Sequence, residues 1–440
     1  MLKRKIDNTL TEWKNTEDKN PIIIKGCRQC GKTFSVKNFA QNNYENVVYI
    51  NFLENSEYAT AFSKSLKVDS IIMNLTAVME DSDVQFVPYK TCIIFDEIQD
   101  CPEARTALKF FKIDGRFDII ATGSLLGVKG YGKQPKSIPV GYETIVEMFP
   151  LDFEEFLWAN GINDLIINEL KRCLSEITPV SDAIHNRMTQ LLRQYIIVGG
   201  MPDAVNIFVK TKHLNNVIAK QREIVDGYID DMTKYAPQYD KSRIRECFLS
   251  IPKQLAKENK KFQYSVISKG AKSSQYAGSL QWIEDAGIIK RCYNLSITEL
   301  PLDGNAIPDI FKVYMVDTGL FVSMLEKGTQ NDILNGNLLG YKGAIFENII
   351  ADIFTKMGRK LYYYHKDSGL EVDFVTRYKS ECTLIEVKAT DGNIKSTKTI
   401  LQHPEKYHVN SAIKLADLNI GKKDQVLTLP LYMAFLLTEY

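Results

Sequence analysis

The chain has no apolar run of about 18 residues, the length a helix needs to cross a bilayer. Its start, MLKRKIDNTLTEWKN, lacks the apolar core of a signal peptide. Both absences set the expectation of a cytoplasmic protein with no membrane partner. There is no excess of one charge: 55 Lys and Arg stand against 54 Asp and Glu, for a formal net charge of +1. That balance excludes a strongly basic protein but leaves a local basic face open. The cysteines at 27, 30, 92, 101, 173, 247, 292 and 382 follow no framework spacing, as expected where thiols stay reduced. No second C-x-x-C or nearby His pair accompanies Cys27 and Cys30, so a zinc site lacks its four ligands. What remains is ordinary globular composition, 45% hydrophobic and 25% charged, over 440 residues, room for several domains of roughly 100 to 200 residues each.

What the chain does have is GCRQCGKT at residues 26–33. Its C-x-x-C admits metal or redox chemistry, but the same residues satisfy G-x-x-x-x-G-K-[ST], the loop whose backbone N–H groups cradle phosphates. The flanks decide. Pro21-Ile22-Ile23-Ile24 reads as a buried parallel strand, and FSVKNFAQNN spaces Phe34, Val36, Phe39 and Ala40 for one side of a helix. Strand, glycine loop and helix thus come in the order that turns a helix N-terminus toward a triphosphate. Gly26 and Gly31 permit close backbone approach. Lys32 is expected to neutralise the β- and γ-phosphates of ATP, and the Thr33 hydroxyl to ligate its Mg²⁺. Cys27, Arg28, Gln29 and Cys30 fill the variable positions and Phe34 follows, so residues 26–34 form the expected nucleotide cradle. The two cysteines read as small side chains that fit a tight turn.

A phosphate loop needs an acid to organise the metal. TCIIFDEIQD, residues 91–100, is an apolar strand ending in Asp96-Glu97, the Walker B arrangement. Asp96 is expected to hold Mg²⁺ and Glu97 to polarise the attacking water as general base; the plainer alternative is a strand closing in an acidic turn. RFDIIATGS, 116–124, reads as the next strand, with Thr122 and Ser124 where a γ-phosphate sensor sits, or as an ordinary turn.

GCRQCGKT, IIFDEIQD, ATGSLL, MFPLDFEEFL, VGGMPDAV, EDAGIIKRCYNL, YMVDTGL, KGAIFENIIADI, SGLEVDFV and IEVKA occur along nearly the whole chain. In this order they resemble the prokaryotic AAA-type ATPases that carry a C-terminal domain of unknown function. The resemblance implies an ATP-hydrolysing core followed by a domain with a restriction-endonuclease-like fold. In related ATPases, helices like those expected from MFPLDFEEFLWANG, Leu165–Leu174 and Met188–Ile197 form a lid over the nucleotide, and GGMPDA is a hinge or boundary after them. Arg116, Arg193 and Arg222 are unranked candidates for an arginine finger.

From Lys253 to Arg291 there are eight Lys or Arg against Glu258, Glu284 and Asp285, a local charge of 8 − 3 = +5. Helix, polar turn, helix and the strand IIKRCYNL suggest a winged-helix unit, able to face DNA or a protein. Farther on, Glu347 lies on an amphipathic helix pattern (342–356), Asp373 late in a strand pair (361–375), and Glu386 and Lys388 alternate onto one face of TLIEVKA. Together they fit the D…E-x-K pattern of restriction-endonuclease-like folds, in which Asp373 and Glu386 hold a second Mg²⁺ and Lys388 orients water, with Glu347 approaching from its helix.

The expected architecture is α/β: an N-terminal helix (1–17), a P-loop NTPase (AAA-type) parallel-sheet core (18–150), a helical lid (151–235), a winged-helix-like segment (236–300) and a nuclease-like α/β domain (301–440). Two functions follow: an Mg²⁺-dependent ATPase coupled to a nuclease-like domain, or a nucleotide-gated switch whose C-terminal domain only binds DNA or protein. The expected partners are ATP, DNA, and a protein partner or further copies of the chain.

Overall fold

The computed structural model describes residues 2–79, 84–125, 140–235, 240–257, 260–335 and 342–438. They divide into two compact units: residues 1–150 with 285–287, and residues 151–284 with 288–440.

The first unit runs α1 (Lys5–Asn15), β1 (Ile22–Gly26), α2 (Lys32–Asn43), β2 (Asn46–Asn51), α3 (Val68–Val78), β3 (Thr91–Asp96), α4 (Pro102–Asp114), β4 (Asp118–Ser124) and β5 (Thr144–Met148). Its sheet has the order β2-β3-β4-β1-β5, and every pairing is parallel. Thr91 to Asp96 are all buried, which is why β3 reads as an unbroken apolar run: helices cover both faces of the sheet. The period-two alternation of side chains divides the core. Ile23, Ile50, Ile93, Phe95 and Ile119 pack with Ile71, Leu75, Leu108 and Phe111 on one face. Ile22, Ile24, Ile94 and Ile120 meet Leu10, Trp13, Val36 and Phe39 on the other. Leu10 and Trp13 belong to α1, so the helix expected as a separate element is part of this core.

The second unit begins with α5 (Phe153–Ala159), α6 (Asp164–Glu176), α7 (Asp182–Val198), α8 (Pro202–Thr211) and α9 (Leu214–Tyr235), followed by α10 (Lys241–Leu255), α11 (Tyr264–Ile267) and α12 (Ser273–Asp285). Strands β6 (Ile289–Leu295) and β7 (Ala306–Met315) come next, then α13 (Thr318–Ser323), α14 (Thr329–Asn335) and α15 (Lys342–Lys356). The chain ends with β8 (Leu361–His365), β9 (Glu371–Tyr378), β10 (Glu381–Val387), α16 (Lys395–Leu401), α17 (Pro404–Tyr407), β11 (Ser411–Ala416), β12 (Gly421–Lys423) and β13 (Val426–Pro430). The strands form one mixed sheet in the order β12-β13-β11-β10-β9-β8-β6-β7.

Two expected boundaries change. Residues 151–235 are helical as read, but group with this second sheet rather than with the ATPase-like core. The helices α10 to α12 and the antiparallel β6–β7 hairpin follow the order of a winged helix, yet β6 also pairs parallel with β8. The hairpin is therefore the edge of a larger sheet and not a free wing, and the expected boundary at 300/301 falls inside it. The reason is apolar: Ile289, Cys292 and Leu295 in β6 are buried and need the neighbouring strand and its cover.

Several of the quoted motifs turn out to be scaffold. Asp317 accepts from Gly200 N at 2.7 Å and, as the cap of α13, from Leu320 N at 3.0 Å. Asp352 accepts from Thr318 N and Thr318 Oγ1, both at 2.9 Å, and Lys356 Nζ lies 2.7 Å from Asp352. The same ammonium donates to Tyr195 Oη at 3.0 Å and Leu151 O at 3.2 Å. A Cβ on Gly199 would stand 2.2 Å from Asp317 Oδ1, and one on Gly200 1.9 Å from Leu151 O. VGGMPDA, YMVDTGL and the helix from KGAIFENIIADI are thus locked together by buried charge and backbone contact. Among the described residues, no helix is long and apolar enough to cross a membrane.

Candidate nucleotide site

The loop of residues 27–31 leaves the carboxyl end of β1, beside the ends of β4 and β5. Gly26 is required there, because a Cβ would meet Met148 O at 2.3 Å and Cys30 Sγ at 2.8 Å. Gly31 caps α2 in the left-handed region, at φ 95°. Gln29 is left-handed as well, at φ 61°, without being glycine. Left-handed residues in a turn that opens a helix make the backbone concavity that receives anions. Lys32, in the first turn of α2, is buried and turns its ammonium onto the loop, donating to Cys27 O at 2.9 Å and Gly26 O at 3.2 Å. Phe34 is exposed and Arg28 half-buried.

Asp96 ends β3 almost fully enclosed. The Thr33 hydroxyl lies 3.1 Å from each of its carboxylate oxygens. Tyr49 Oη donates to it at 2.6 Å, Asn51 Nδ2 stands at 3.5 Å, and Thr122 Oγ1 donates on the other side. Burial, together with the hydrogen bond to Asp96, pushes the Tyr49 phenol above its usual range, so it stays a donor. Hard oxygens from Thr33 and Asp96 facing each other beside a lysine suit a magnesium ion carried by phosphates. Of the expected sensors, Thr122 is fully buried and spent on Asp96, while Ser124 ends β4 directly opposite Gly26 in the register. Glu97 follows Asp96 at φ 54°, and its Oε2 accepts from Gln99 Nε2 at 2.5 Å.

Other supporting residues were not singled out from sequence. Arg4, buried before α1, donates to Cys30 O at 3.0 Å and Phe149 O at 2.7 Å, tying the loop to the end of β5. Nothing local marks Arg4, because its partners lie 26 and 145 residues away. Asn51 does carry a signal: it closes β2 in register with Asp96.

The C-terminal acids gather in part. Lys388 Nζ lies 2.6 Å from Glu386 and 3.1 Å from Asp373. Asp373 also accepts from Val387 N at 2.8 Å, and Glu386 from Thr397 Oγ1 at 2.5 Å. Burial and the Asp373 charge push Glu386 up to about 7, against the pull of Lys388. Glu347 is held differently, by Lys260, by Tyr314 Oη at 2.9 Å and by Lys312 at 3.7 Å, while Lys312 bonds Glu371 at 2.9 Å. Among the described residues, no group of three or more Asp, Glu, His or Cys side chains is placed to hold a metal ion. Where a second Mg²⁺ was expected on Asp373 and Glu386, the Lys388 ammonium is ion-paired with both carboxylates. E-x-K alternation and the β9–β10 pairing bring these groups together, but as an ion-paired triad.

The basic segment is also thinner than its count. Lys260 pairs with Glu347 and Arg291 with Glu284, and the exposed cations of the segment are Lys253, Lys261, Lys269 and Lys272. Of the candidate fingers, Arg116 is bound to Asp114 and Asp69, Arg193 to Asp417, and Arg222 lines a cavity of about 320 Å³ with Lys327 and Gln330.

Residues 18–157 match the family model described as an AAA domain. Residues 189–331 and 342–432 match two models described as domains of unknown function, DUF8612 and DUF4143. No curated protein matches the sequence. Among solved structures, the chain is similar to a Walker-type ATPase of Pyrococcus abyssi, at 13% identity over 74% of this chain and 96% of that one, TM-score 0.41. It is also similar to the ORC2 protein of Aeropyrum pernix in its ADPNP–ADP complexes, at 13% identity over 79% and 93%, TM-score 0.35. A third is the ORC1 protein of Aeropyrum pernix in complex with DNA, at 12% over 76% and 91%, TM-score 0.28. On the family match and the loop geometry, the first unit is an AAA-type, P-loop ATPase-like domain.

Proposed function

We propose that the chain binds ATP with Mg²⁺ in the cradle of residues 26–34 and hydrolyses it, and that the nucleotide state governs the second unit. The observation that carries this reading is the Thr33 hydroxyl set 3.1 Å from both oxygens of Asp96, beside the buried Lys32. Lys32 exchanges the carbonyls of Gly26 and Cys27 for the β- and γ-phosphate oxygens. Thr33 and Asp96 would hold Mg²⁺, which would supply charge neutralisation on those phosphates. Glu97, oriented by Gln99, accepts a proton from the water that attacks the γ-phosphorus as ADP leaves.

For the second unit, a role in binding DNA or a protein is favoured over cleavage, because Lys388 bridges Asp373 and Glu386. Exposed Lys253, Lys261, Lys269 and Lys272 support DNA as the partner to test first. Kinetics test the ATPase reading. Lys32→Ala is expected to abolish turnover through lost nucleotide binding, and Glu97→Gln to retain binding while slowing hydrolysis about 10²- to 10⁴-fold. Unchanged turnover in both variants removes the assignment. Plasmid incubated with Mg²⁺ or Mn²⁺ and ATP is expected to stay intact; nicking that disappears in Asp373→Ala would restore the nuclease reading.

A further inference from the structure

Arg222 is a cation without a counter-charge. Arg116 and Arg193, the other two candidate finger arginines, are ion-paired, whereas Arg222 makes no ion pair or side-chain hydrogen bond among the described residues. Acids are near it in sequence. Glu223 is held by Lys220, and Asp226 stands at the i+4 position where a helix pairs opposite charges. Arg222 pairs with neither and lines the cavity of about 320 Å³ instead.

That cavity lies wholly within the second unit, between one stripe of α9 and the turn that leads into α14. Leu214, Ile218 and Arg222 follow one another at four-residue spacing, so they share a face of α9. Lys327 comes from the opposite wall, exposed and likewise without an ion pair among the described residues. Asn215 and Asn331 add side-chain amides, one from each wall. Among the described residues no Asp or Glu lines the cavity: Glu326 and Asp332, the sequence neighbours of Lys327 and Asn331, are exposed and lie outside the lining. The walls therefore carry two positive charges, amide donors and an apolar strip.

Charge decides the ligand class. An arginine fork takes the oxygens of a carboxylate or a phosphate in pairs, and a lysine acts beside it as a point charge. A carboxylate brings one charge and leaves the second cation unmatched, whereas a phosphomonoester carries about −1.5 to −2 near pH 7 and matches both. Leu214 and Ile218 suit a carbon body next to the phosphate, and the volume of about 320 Å³ limits that body to a small molecule. We propose that this cavity binds a small phosphomonoester, with Arg222 and Lys327 on the phosphate oxygens and Leu214 and Ile218 against the organic body. The site belongs to the second unit and does not rest on the reading of residues 26–34 as the ATP cradle.

The test uses the full chain and phenyl phosphate, which joins a phosphate dianion to an apolar ring. Isothermal calorimetry is expected to show saturable binding to the wild type, weakened about tenfold or more in Arg222→Gln and in Lys327→Gln. Arg222 is half-buried and Lys327 exposed, so both variants are expected to melt with the wild type, which separates lost binding from lost folding. Lys32→Ala removes the lysine of the phosphate loop and is expected to bind phenyl phosphate as the wild type does. Inorganic phosphate and benzoate, each lacking one half of the ligand and titrated into Lys32→Ala, are expected to bind about tenfold more weakly or worse. No saturable heat in the wild type, unchanged affinity in either cavity variant, or binding lost in Lys32→Ala overturns the site. Benzoate as tight as phenyl phosphate overturns the phosphate preference, and duplex DNA that displaces phenyl phosphate from Lys32→Ala overturns the small-molecule assignment in favour of a nucleic-acid backbone. None of these readouts involves ATP, so failure of the nucleotide reading leaves the result standing.

Discussion

Replacing Lys356 by Met keeps the volume of the side chain and removes a charge that is 1% exposed. Asp352, itself fully enclosed, loses the ammonium at 2.7 Å, and Asp317 loses the same group at 3.8 Å. Tyr195 Oη and Leu151 O lose a donor as well. Removing one partner of a buried pair costs about 3–5 kcal/mol, a fall in melting temperature on the order of 10 °C. The pH dependence gives a sharper signature. Burial holds the native Asp352 up to about 6, with Lys356 lowering it and Asp317 raising it, from an ordinary value of 3.8. Between those values the native state binds more protons than the unfolded one, so wild-type stability falls as pH rises through that window. Without Lys356 the lowering charge is gone and the window extends upward. The deficit of Lys356→Met relative to wild type should therefore be larger at pH 8 than at pH 5, read by scanning calorimetry. Asp352→Asn combined with Lys356→Met should lose less than the sum of the single changes, by about 0.5–3 kcal/mol. Equal deficits at the two pH values, or strict additivity, would refute this account of the VGGMPDA and YMVDTGL motifs.

Asp96→Asn leaves Thr33, Tyr49 and Thr122 facing an amide in place of a carboxylate. ATP affinity in the presence of Mg²⁺ should fall about tenfold or more, while affinity with the metal chelated changes little; calorimetric titration under both conditions separates the two. For DNA, changing the exposed Lys253, Lys261, Lys269 and Lys272 to Ala should weaken duplex binding evenly across sequences. The slope of log affinity against log salt should become shallower by up to about 3–4, and an unchanged slope in a filter-binding series would remove this face from consideration.

The first unit was legible because its signals are local. A β-branched run, a glycine loop and a helix fall within Pro21–Asn43, and the buried acid Asp96 closes an equally plain apolar strand. What stayed hidden is carried by distance. Arg4 reaches the loop across the fold, and Tyr49 and Thr122 meet at Asp96 only after β2 and β4 flank β3. The strained backbone at Gln29 and Glu97 is invisible for another reason: neither residue type signals a left-handed conformation. In the second unit, the acids and lysines were read one strand at a time. Only pairing shows that Lys388 is ion-paired with both Asp373 and Glu386, and that Glu347 is engaged with Lys260 and Tyr314. The place of IIKRCYNL in a larger sheet was hidden likewise, since the second neighbour of β6, β8, lies far along the chain.

The most direct test is isothermal calorimetry of ATP into the reduced, full-length protein with Mg²⁺ present, repeated with Lys32→Ala. The account predicts saturable binding near one nucleotide per chain in the wild type and its loss in the variant. Heat no larger than dilution in the wild type, or equal affinity in both proteins, would contradict it.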